Sequence, residues 1–355
     1  MFLIVTRSFP PEIGGMQMLM GGLSENLLNH GPVKVFTFAH PDSSHFDSKS
    51  TMNIERVKGI KLFRKFRKAN LINEFINNNQ NIRAIIADHW KSLELIKTEN
   101  LKKIKTVCLL HSKEINHEIG SSLNNRVIKS TNNASFIVAN SNFTKNLAIK
   151  VGIDSSKISV IFPGITKPDQ IENLYQAKAK KIFNDSFPKI ITVSRLDKRK
   201  GHDKILMLIK NLKPKFPKIK YVAIGDGEEK NNLLKLTKEL SLGEEVVFLK
   251  NIDSDFKTSL ISESNLFLMP SRIEKKSVEG FGISFIEAAS YGVASIGGKD
   301  GGASDAISHN KTGFICDGND LNSIYDSIVN FFKDEKFKKY GKNAKKFSEN
   351  FYWNL

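Results

Sequence analysis

The chain has 355 residues, 40% of them hydrophobic, and a formal net charge of +17 at pH 7. Its length favours two domains of about 170 residues over a single core, and its charge favours an anionic partner: a nucleotide, a phospholipid surface or a nucleic acid. No apolar run approaches a membrane span, and residues 1–5 are too short for a signal sequence. We therefore expect a cytoplasmic protein that can lie on the inner face of the membrane. Cys108 and Cys316 lie in apolar surroundings and are expected to be reduced thiols.

The first half alternates short apolar runs with polar or amphipathic stretches. The apolar runs predict strands at Phe2–Val5, Val33–Phe38, Ala84–Ala87, Thr106–Leu110 and Phe136–Ala139, with a helix over 16–28, and residues 158–164 end this half. Strands separated by helices predict a parallel, doubly wound α/β sheet. Residues 166–188 are polar and helix-prone, which predicts a domain boundary near Ile165.

The second half repeats this alternation. Its predicted strands are 190–193, 221–224, Val246–Leu249, Leu266–Met269, 294–296 and Gly313–Cys316. We therefore predict two Rossmann-like domains, 1–165 and 166–355, that bind ligands in a cleft between their carboxyl-end loops.

A glycine turn between a strand and a helix carries two carboxylates, in the order Glu279-Gly-Phe-Gly-Ile-Ser-Phe-Ile-Glu287. The free N–H groups at such a helix start suit a phosphate. A carboxylate can accept two sugar hydroxyls, so the stretch has the layout of a nucleotide-sugar site. The alternative is a surface turn with two solvated glutamates.

Basic residues follow the first strand of the second half, in Ser194-Arg-Leu-Asp-Lys-Arg-Lys-Gly201. The spacing of Arg195 and Lys200 allows both to converge on one diphosphate and neutralise it without a metal. A solvated basic turn is the alternative.

The first-half pair Gly14-Gly15 lets the backbone approach a ligand. A G-x-G-x-x-G fingerprint is absent there, so no NAD or other cofactor is predicted.

His111 lies at the carboxyl end of a predicted strand. A catalytic role is one interpretation of this position, and a structural role is the alternative. No second His or Cys at ligand spacing accompanies it, so we predict no metal site.

Residues 56–69 form an amphipathic pattern in which Leu62, Phe63, Phe66 and Ala69 share one arc of a helical projection. The cations around that arc include Lys61, Arg64, Lys65 and Lys68, as in a helix lying on an anionic membrane. An ordinary surface helix whose apolar stripe faces its own sheet is the equal alternative.

These motifs, in this order, resemble glycosyltransferase family 4, which has the GT-B fold of two facing Rossmann-like domains. Ser8-Phe-Pro-Pro-Glu-Ile-Gly-Gly-Met-Gln17 is similar to the family's first glycine loop, especially that of bacterial phosphatidylinositol-mannoside mannosyltransferases. His111-Ser-Lys-Glu114 matches the family's His-Gly-x-Glu segment. The 194–201 segment matches its diphosphate-binding Arg and Lys, and 279–287 its paired glutamates.

The resemblance implies a role for each matched residue. Arg195, Lys200 and the backbone of Gly282 and Ile283 hold the donor diphosphate. Glu287 binds ribose, while Glu279 and His111 meet the donor sugar. Gly15 packs near the phosphate and acceptor.

Three departures from the family pattern stand out. Ser112 replaces a glycine, Lys250 replaces a common glycine, and Gly301-Gly-Ala-Ser-Asp305 stands where Gly-Gly-x-Pro-Glu is usual. The sequence stops at Phe351-Tyr-Trp-Asn-Leu355, whereas members usually continue through a helix that crosses back to the first domain. We therefore expect either a short closing element or a clipped sequence.

The resemblance implies a retaining, metal-independent hexosyltransferase that uses a nucleotide-diphosphate sugar. GDP-mannose is the favoured donor and a UDP-sugar the next, with a lipid or oligosaccharide of the bacterial cell envelope, such as a glycolipid or lipopolysaccharide, as acceptor. A UDP-N-acetylglucosamine 2-epimerase on the same fold is the alternative. A third interpretation, a basic nucleic-acid-binding protein, has no support from a motif, because the sequence contains no recognisable nucleic-acid-binding motif.

Overall fold

The computed structural model describes residues 1–353, which divide into two compact units. Unit 1 comprises Met1–Thr166 together with Trp353, and unit 2 comprises Lys167–Tyr352. The boundary expected near Ile165 lies beside this division. Trp353 packs on unit 1, where its N–H donates to the Ile165 carbonyl (3.2 Å). Gly22 and Gly164 make room for its indole, since a Cβ at either would lie 2.7 or 2.6 Å from the ring.

Unit 1 alternates strands and helices around one sheet. Its elements are β1 (Phe2–Val5), α1 (Gly15–Leu27), β2 (Val33–Phe38), α2 (Ser43–Lys49), β3 (Asn53–Val57), α3 (Lys61–Asn78), β4 (Ala84–Ala87), α4 (Trp90–Leu93), α5 (Thr98–Lys103), β5 (Thr106–Leu110), α6 (Ser122–Asn132), β6 (Phe136–Ala139), α7 (Asn142–Lys150) and β7 (Ile158–Val160). The sheet order is β3-β2-β1-β4-β5-β6-β7, with every pairing parallel.

Unit 2 repeats the plan. Its elements are α8 (Asn173–Phe183), β8 (Lys189–Val193), α9 (His202–Leu212), β9 (Lys220–Ile224), α10 (Lys230–Glu239), β10 (Val246–Leu249), α11 (Ser254–Glu263), β11 (Leu266–Met269), α12 (Ile283–Ser290), β12 (Ser295–Gly298), α13 (Ala303–Ala306), β13 (Gly313–Cys316), α14 (Leu321–Phe332) and α15 (Lys336–Ser348). The sheet order is β10-β9-β8-β11-β12-β13, again parallel throughout.

The central strands are apolar on both faces because helices cover both sides of each sheet. Leu266, Phe267, Leu268 and Met269 of β11 are all fully buried. Cys108 and Cys316 are buried and unpaired, as expected. The predicted doubly wound α/β class is confirmed in both units.

One local prediction is wrong, and one strand was not predicted. The helix predicted over 56–69 begins at Lys61, because residues 56 and 57 complete β3 beside β2. Strand β3 was not predicted, since it is a polar strand at the sheet edge.

Within residues 1–353, no helix combines the length and apolarity that crossing a bilayer requires.

Candidate active site

The loops that carry most of the predicted site follow β8 and β11, two neighbouring strands of unit 2. The chain proceeds from β8 toward one edge of the sheet and from β11 toward the other. Ligands of doubly wound sheets bind outside the carboxyl ends of the strands at such a switch point. Residues 194–201 follow β8, and residues 270–282 follow β11.

A buried ionic cluster joins these two loops. The Glu279 carboxylate accepts a hydrogen bond from Arg199 (Nη1–Oε2, 2.9 Å) and another from the Lys200 ammonium. Lys200 and Glu279 are only 7% and 9% exposed. Burial alone would raise the pKa of Glu279, but the charges and hydrogen bonds of Lys200 and Arg199 outweigh it and lower that pKa to about 2. Burial lowers the pKa of Lys200, and the Glu279 charge opposes that change.

A short 3₁₀ turn, Lys198–Lys200, presents these cations. It ends at Gly201, whose φ of 81° lies in the left-handed region that glycine favours. A Cβ at this position would lie 2.6 Å from the Pro270 carbonyl oxygen. Glycine therefore lets the loop after β8 pack directly on the loop after β11.

Arg195 does not share the Lys200 site. Its guanidinium binds the Asp197 carboxylate, and its side chain is 70% exposed, whereas Lys200 is buried against Glu279. The two cations predicted to meet at one diphosphate therefore each have a carboxylate partner, and their joint role stays a prediction.

Helix α12 begins without a side-chain cap. Gly282 occupies the N-cap with a φ of 91°, and no acidic residue lies in the first turn, which starts at Ile283. The first N–H groups and the helix dipole therefore suit an anion. Glu287 lies farther along the helix, with its carboxylate 3.6 Å from the Lys257 ammonium, and is 18% exposed.

A buried hydrogen-bonded chain supports the loop that carries Arg195. The Tyr221 hydroxyl donates to Thr192 Oγ1 (3.0 Å), and His202 Nδ1 lies 2.8 Å from the Tyr221 oxygen. His202 Nε2 lies 3.0 Å from Ser194 Oγ. Because the Tyr221 hydrogen points to Thr192, Nδ1 donates to the Tyr221 oxygen. The Ser194 hydroxyl, which also lies 3.1 Å from the Arg195 carbonyl oxygen as its hydrogen-bond donor, contacts Nε2. Burial lowers the pKa of His202 to about 4, so the ring is neutral and its bonds hold Ser194 in place.

In unit 1, His111 follows β5 as predicted. Its Nε2 lies 3.0 Å from the Asp88 carbonyl oxygen, and its backbone N–H donates to Glu114 Oε1 (2.5 Å). Ser112 has a φ of 89°, so it keeps the backbone conformation that the family's glycine favours. Its hydroxyl is buried and bonded to the Thr144 hydroxyl.

Gly15 is the first residue of α1, and a Cβ there would meet no atom within 4 Å. The nearby Gly21 differs, because a Cβ there would lie 2.8 Å from the Pro10 ring. Packing within unit 1 therefore requires a glycine at position 21 but not at position 15. The space beside Gly15, at the start of α1, is open.

Three of the four predicted membrane cations, Lys61, Arg64 and Lys65, are at least partly exposed on α3. Lys68 is only 5% exposed; its ammonium donates to the Thr6 carbonyl (2.7 Å) and lies 4.3 Å from the Phe38 ring centroid. Burial lowers its pKa to about 8. The prediction that Lys68 contacts a membrane is wrong, because its head group points into unit 1.

The apolar residues of the first two turns of α3 do not face the sheet. Leu62, Phe63 and Phe66 are 68%, 61% and 47% exposed. Burial begins with Lys68 and Ala69 and continues at Ile72. The alternative of an apolar stripe facing the sheet therefore fails for the start of the helix.

Two family models match the chain in sequence. The Glycosyltransferase Family 4 model matches residues 13–167, and the Glycosyl transferases group 1 model matches residues 175–347. The chain belongs to glycosyltransferase family 4. It is an enzyme that transfers a sugar from a nucleotide sugar.

Individual relatives agree with this assignment. The glycosyltransferase is 23% identical over 354 residues to a GDP-mannose-dependent alpha-(1-6)-phosphatidylinositol monomannoside mannosyltransferase of Mycobacterium tuberculosis, covering 94% of this chain and 89% of the relative. It is 34% identical over 143 residues to the O-antigen biosynthesis glycosyltransferase WclY of Escherichia coli, covering 40% of this chain and 37% of the relative. The crystal structure of Anabaena HepE in complex with UDP matches with a TM-score of 0.81 at 19% identity, over 99% of this chain and 96% of that one. The predicted GT-B fold class is confirmed.

Sequence reasoning missed three residues of this candidate site. Arg199 pairs with Glu279, Asp197 with Arg195, and Lys257 with Glu287. Arg199 and Asp197 lie inside the basic motif, so their positions were visible but their partners were not. Lys257 lies on α11 outside any motif and gave no signal.

The loop 301–305 of the glycosyltransferase departs from the family pattern but is tied to the same site. Gly302 N–H donates to the Glu279 carbonyl (2.9 Å), and a Cβ at Gly302 would lie 2.0 Å from the Gly280 carbonyl oxygen. A Cβ at Gly301 would likewise lie 2.3 Å from the Glu279 carbonyl oxygen, so both glycines allow this loop to pack against the backbone that carries Glu279.

Proposed function

We propose that this glycosyltransferase is retaining and metal-independent and moves a hexose, with GDP-mannose favoured over a UDP-sugar, to a lipid or oligosaccharide of the bacterial cell envelope. One observation carries the proposal: the loop that leads into the uncapped start of α12 supplies Glu279, which binds Arg199 and Lys200 of the neighbouring loop at the switch point of unit 2. The donor preference is supported by the mannosyltransferase named above; HepE, crystallised with UDP and with UDP-glucose, supports the second choice.

The donor diphosphate would bind the N–H groups of Gly282 and Ile283, with Arg195 closing over it. Arg195 is exposed enough to exchange Asp197 for phosphate oxygens. The three cations Arg195, Arg199 and Lys200, set against the carboxylates of Asp197 and Glu279, leave these two loops with one net positive charge, which stabilises the departing diphosphate. Among residues 1–353, no group of three or more His, Cys, Asp or Glu side chains is arranged to hold a metal ion.

The other roles are assigned by position in the family motifs. Glu287 would accept ribose hydroxyls, exchanging the looser contact with Lys257. Glu279 and His111 would meet the donor sugar, and Gly15 would pack against the phosphate and acceptor.

Retention requires that the new bond form on the face from which the old bond leaves. The bond between the anomeric carbon and the phosphate oxygen breaks, and the acceptor oxygen bonds to that carbon on the same face. The acceptor proton passes to the departing phosphate oxygen, which spares the enzyme a separate base.

Nucleotide sugars provide the test. Each of a panel of GDP- and UDP-sugars is measured for thermal stabilisation and for turnover with envelope lipid extracts. A ligand at 100 times its dissociation constant adds ~2.7 kcal/mol to stability, and we expect GDP-mannose to give the largest shift. Conversion of the donor to an epimer without acceptor would contradict the proposal.

We also propose that the first two turns of α3 bind an anionic membrane surface. Exposed Leu62, Phe63 and Phe66 are interleaved with Lys61, Arg64 and Lys65, which is the composition of an interfacial helix. Each cation near such a surface contributes ~1 kcal/mol.

Vesicle sedimentation tests the membrane proposal. Lys61→Glu with Lys65→Glu is expected to reduce binding to anionic vesicles, whereas Lys103→Glu with Lys129→Glu, at exposed sites on α5 and α6, is the matched control. Equal loss of vesicle binding in both variants would show that the overall charge of the protein, and not the start of α3, determines binding.

A further inference from the structure

A pocket of about 680 Å³ lies wholly within unit 1. It is bounded by residues that follow β1, β2 and β4 and by the start of α3. Strand order reverses between β1 and β4, so the pocket occupies the switch point of this sheet, as the donor loops do in unit 2. Its position is therefore that of a ligand site in its own right.

The lining is strongly cationic. Seven Lys or Arg side chains face three carboxylates. One carboxylate, Asp88, accepts hydrogen bonds from the hydroxyls of Thr6 (3.0 Å) and Ser92 (2.6 Å). It also accepts the backbone N–H of Arg7 (2.9 Å). Neutral donors thus occupy the Asp88 carboxylate, which acts on Lys68 through its charge but forms no ion pair with any lining cation.

The two remaining carboxylates are Glu12, which is exposed and forms no ion pair within residues 1–353, and Glu94. Glu94 binds Arg126 through two hydrogen bonds (2.6 and 3.0 Å). Throughout the described chain, 1–353, no carboxylate forms an ion pair with Arg7, Lys65 or Lys91. Burial, followed by the charges of Arg7 and Arg126, lowers the pKa of Lys91, because these cations repel one another.

Two further cations have hydrogen-bond capacity to spare. Arg64 Nε is buried without a hydrogen-bond partner. The Lys68 ammonium uses one of its three donors, on the Thr6 carbonyl. Both cations lie over the Phe38 ring, at 4.7 and 4.3 Å from its centroid. Phe38 therefore holds them at the pocket wall.

We propose that this pocket binds a phosphoryl group of the acceptor substrate. The inference rests on the proposed transfer to an acceptor and adds the chemical class of that acceptor. A phosphate ester presents several acceptor oxygens and full negative charge, which match spare guanidinium and ammonium donors on several sides. The phosphate belongs either to a lipid headgroup, whose acyl chains would follow exposed Phe63 and Phe66, or to a soluble phosphorylated sugar.

Calorimetric titration with glycerol 3-phosphate at fixed ionic strength tests the pocket. The variant Arg7→Gln with Lys91→Gln is compared with the control Lys103→Gln with Lys129→Gln. The pocket variant is expected to bind roughly tenfold or more weakly, since two charge-assisted contacts are lost. The control and Arg195→Gln, which alters only the predicted diphosphate site of unit 2, should bind as wild type does.

Equal affinity in the pocket and control variants would overturn the proposal, as would malate binding as tightly as glycerol 3-phosphate. Dihexanoyl phosphatidic acid binding at least tenfold tighter than glycerol 3-phosphate assigns the phosphate to a lipid, and equal binding assigns it to a soluble acceptor. If the wild type binds glycerol 3-phosphate normally but transfers sugar from no donor, the proposed function fails while the pocket stands.

Discussion

Replacing Glu279 by Gln removes one charge from the buried cluster and leaves the side-chain shape nearly unchanged. Lys200, 7% exposed, would then lose its ion-pair partner, while Arg199 would keep only the Asp197 carboxylate, 4.0 Å from its Nε. Removing one partner of a buried pair is costly because the other charge stays desolvated. We therefore expect Glu279→Gln to destabilise unit 2.

The pKa of Glu279 gives the magnitude. Its fall from 4.5 to about 2 corresponds to ~3 kcal/mol of stability from the ionised carboxylate. For a unit of this size, such a loss lowers the melting temperature by roughly 6–12 °C. The control is Glu287→Gln, whose partner Lys257 is partly exposed and 3.6 Å away, so its expected cost is below ~1 kcal/mol.

The pH dependence has a definite sign. Because folding lowers the pKa of Glu279, its contribution is fully present above pH 4.5 and is lost as the pH falls toward 2. Urea unfolding of wild type and Glu279→Gln between pH 7 and 3 measures the difference. The two proteins should converge as the pH falls. Equal stability at pH 7 would refute the buried-cluster account.

Kinetics separate the two carboxylates. Glu279 is proposed to face a sugar that gains positive charge, so Glu279→Gln should lower kcat with little change in nucleoside diphosphate affinity. Glu287 is proposed to bind ribose, which does not change during reaction, so Glu287→Gln should mainly raise KM. The opposite pattern would mean that the roles are reversed.

Three further outcomes are expected. Arg195→Ala should reduce turnover by roughly 100-fold, while EDTA leaves wild-type activity unchanged; strict dependence on Mg²⁺ or Mn²⁺ would contradict the proposed site. Gly15→Ala should melt as wild type does, because a Cβ there meets open space, yet raise KM; unchanged kinetics would separate Gly15 from the ligand. Ser112→Gly should be more stable than Ser112→Ala by ~1–2 kcal/mol, since both lose the hydroxyl and only Ala keeps a Cβ at a φ of 89°; equal melting would show that this backbone relaxes.

The central strands of both sheets were predictable because their apolar runs are buried on both faces. Strand β3 escaped prediction because Asn53, Glu55 and Arg56 give an edge strand a polar sequence. The helical pattern beyond it was correct from Lys61 onward. The start was placed too early because Arg56 is also compatible with a cationic helix face, and only pairing with β2 decides between them.

The candidate site was predictable as motifs but not as contacts. The spacing of Arg195 and Lys200 allows convergence, yet Asp197 and Glu279 compete for the two cations in the folded chain. A helical projection places Lys68 among the surface cations because the projection shows one helix alone, without the elements that pack beside it. In the folded chain, the Thr6 carbonyl, just after β1, and the Phe38 ring, at the end of β2, bury the Lys68 ammonium.

The stereochemistry of the product distinguishes the proposed chemistry from its alternatives. Donor and envelope lipid extract are incubated with wild-type enzyme and EDTA, and the anomeric configuration of the product is read by NMR from its coupling constants. An α-linked donor such as GDP-mannose is expected to give an α-linked product at an undiminished rate. A β-linked product, or an epimerised nucleotide sugar with no glycoside formed, would contradict retaining transfer.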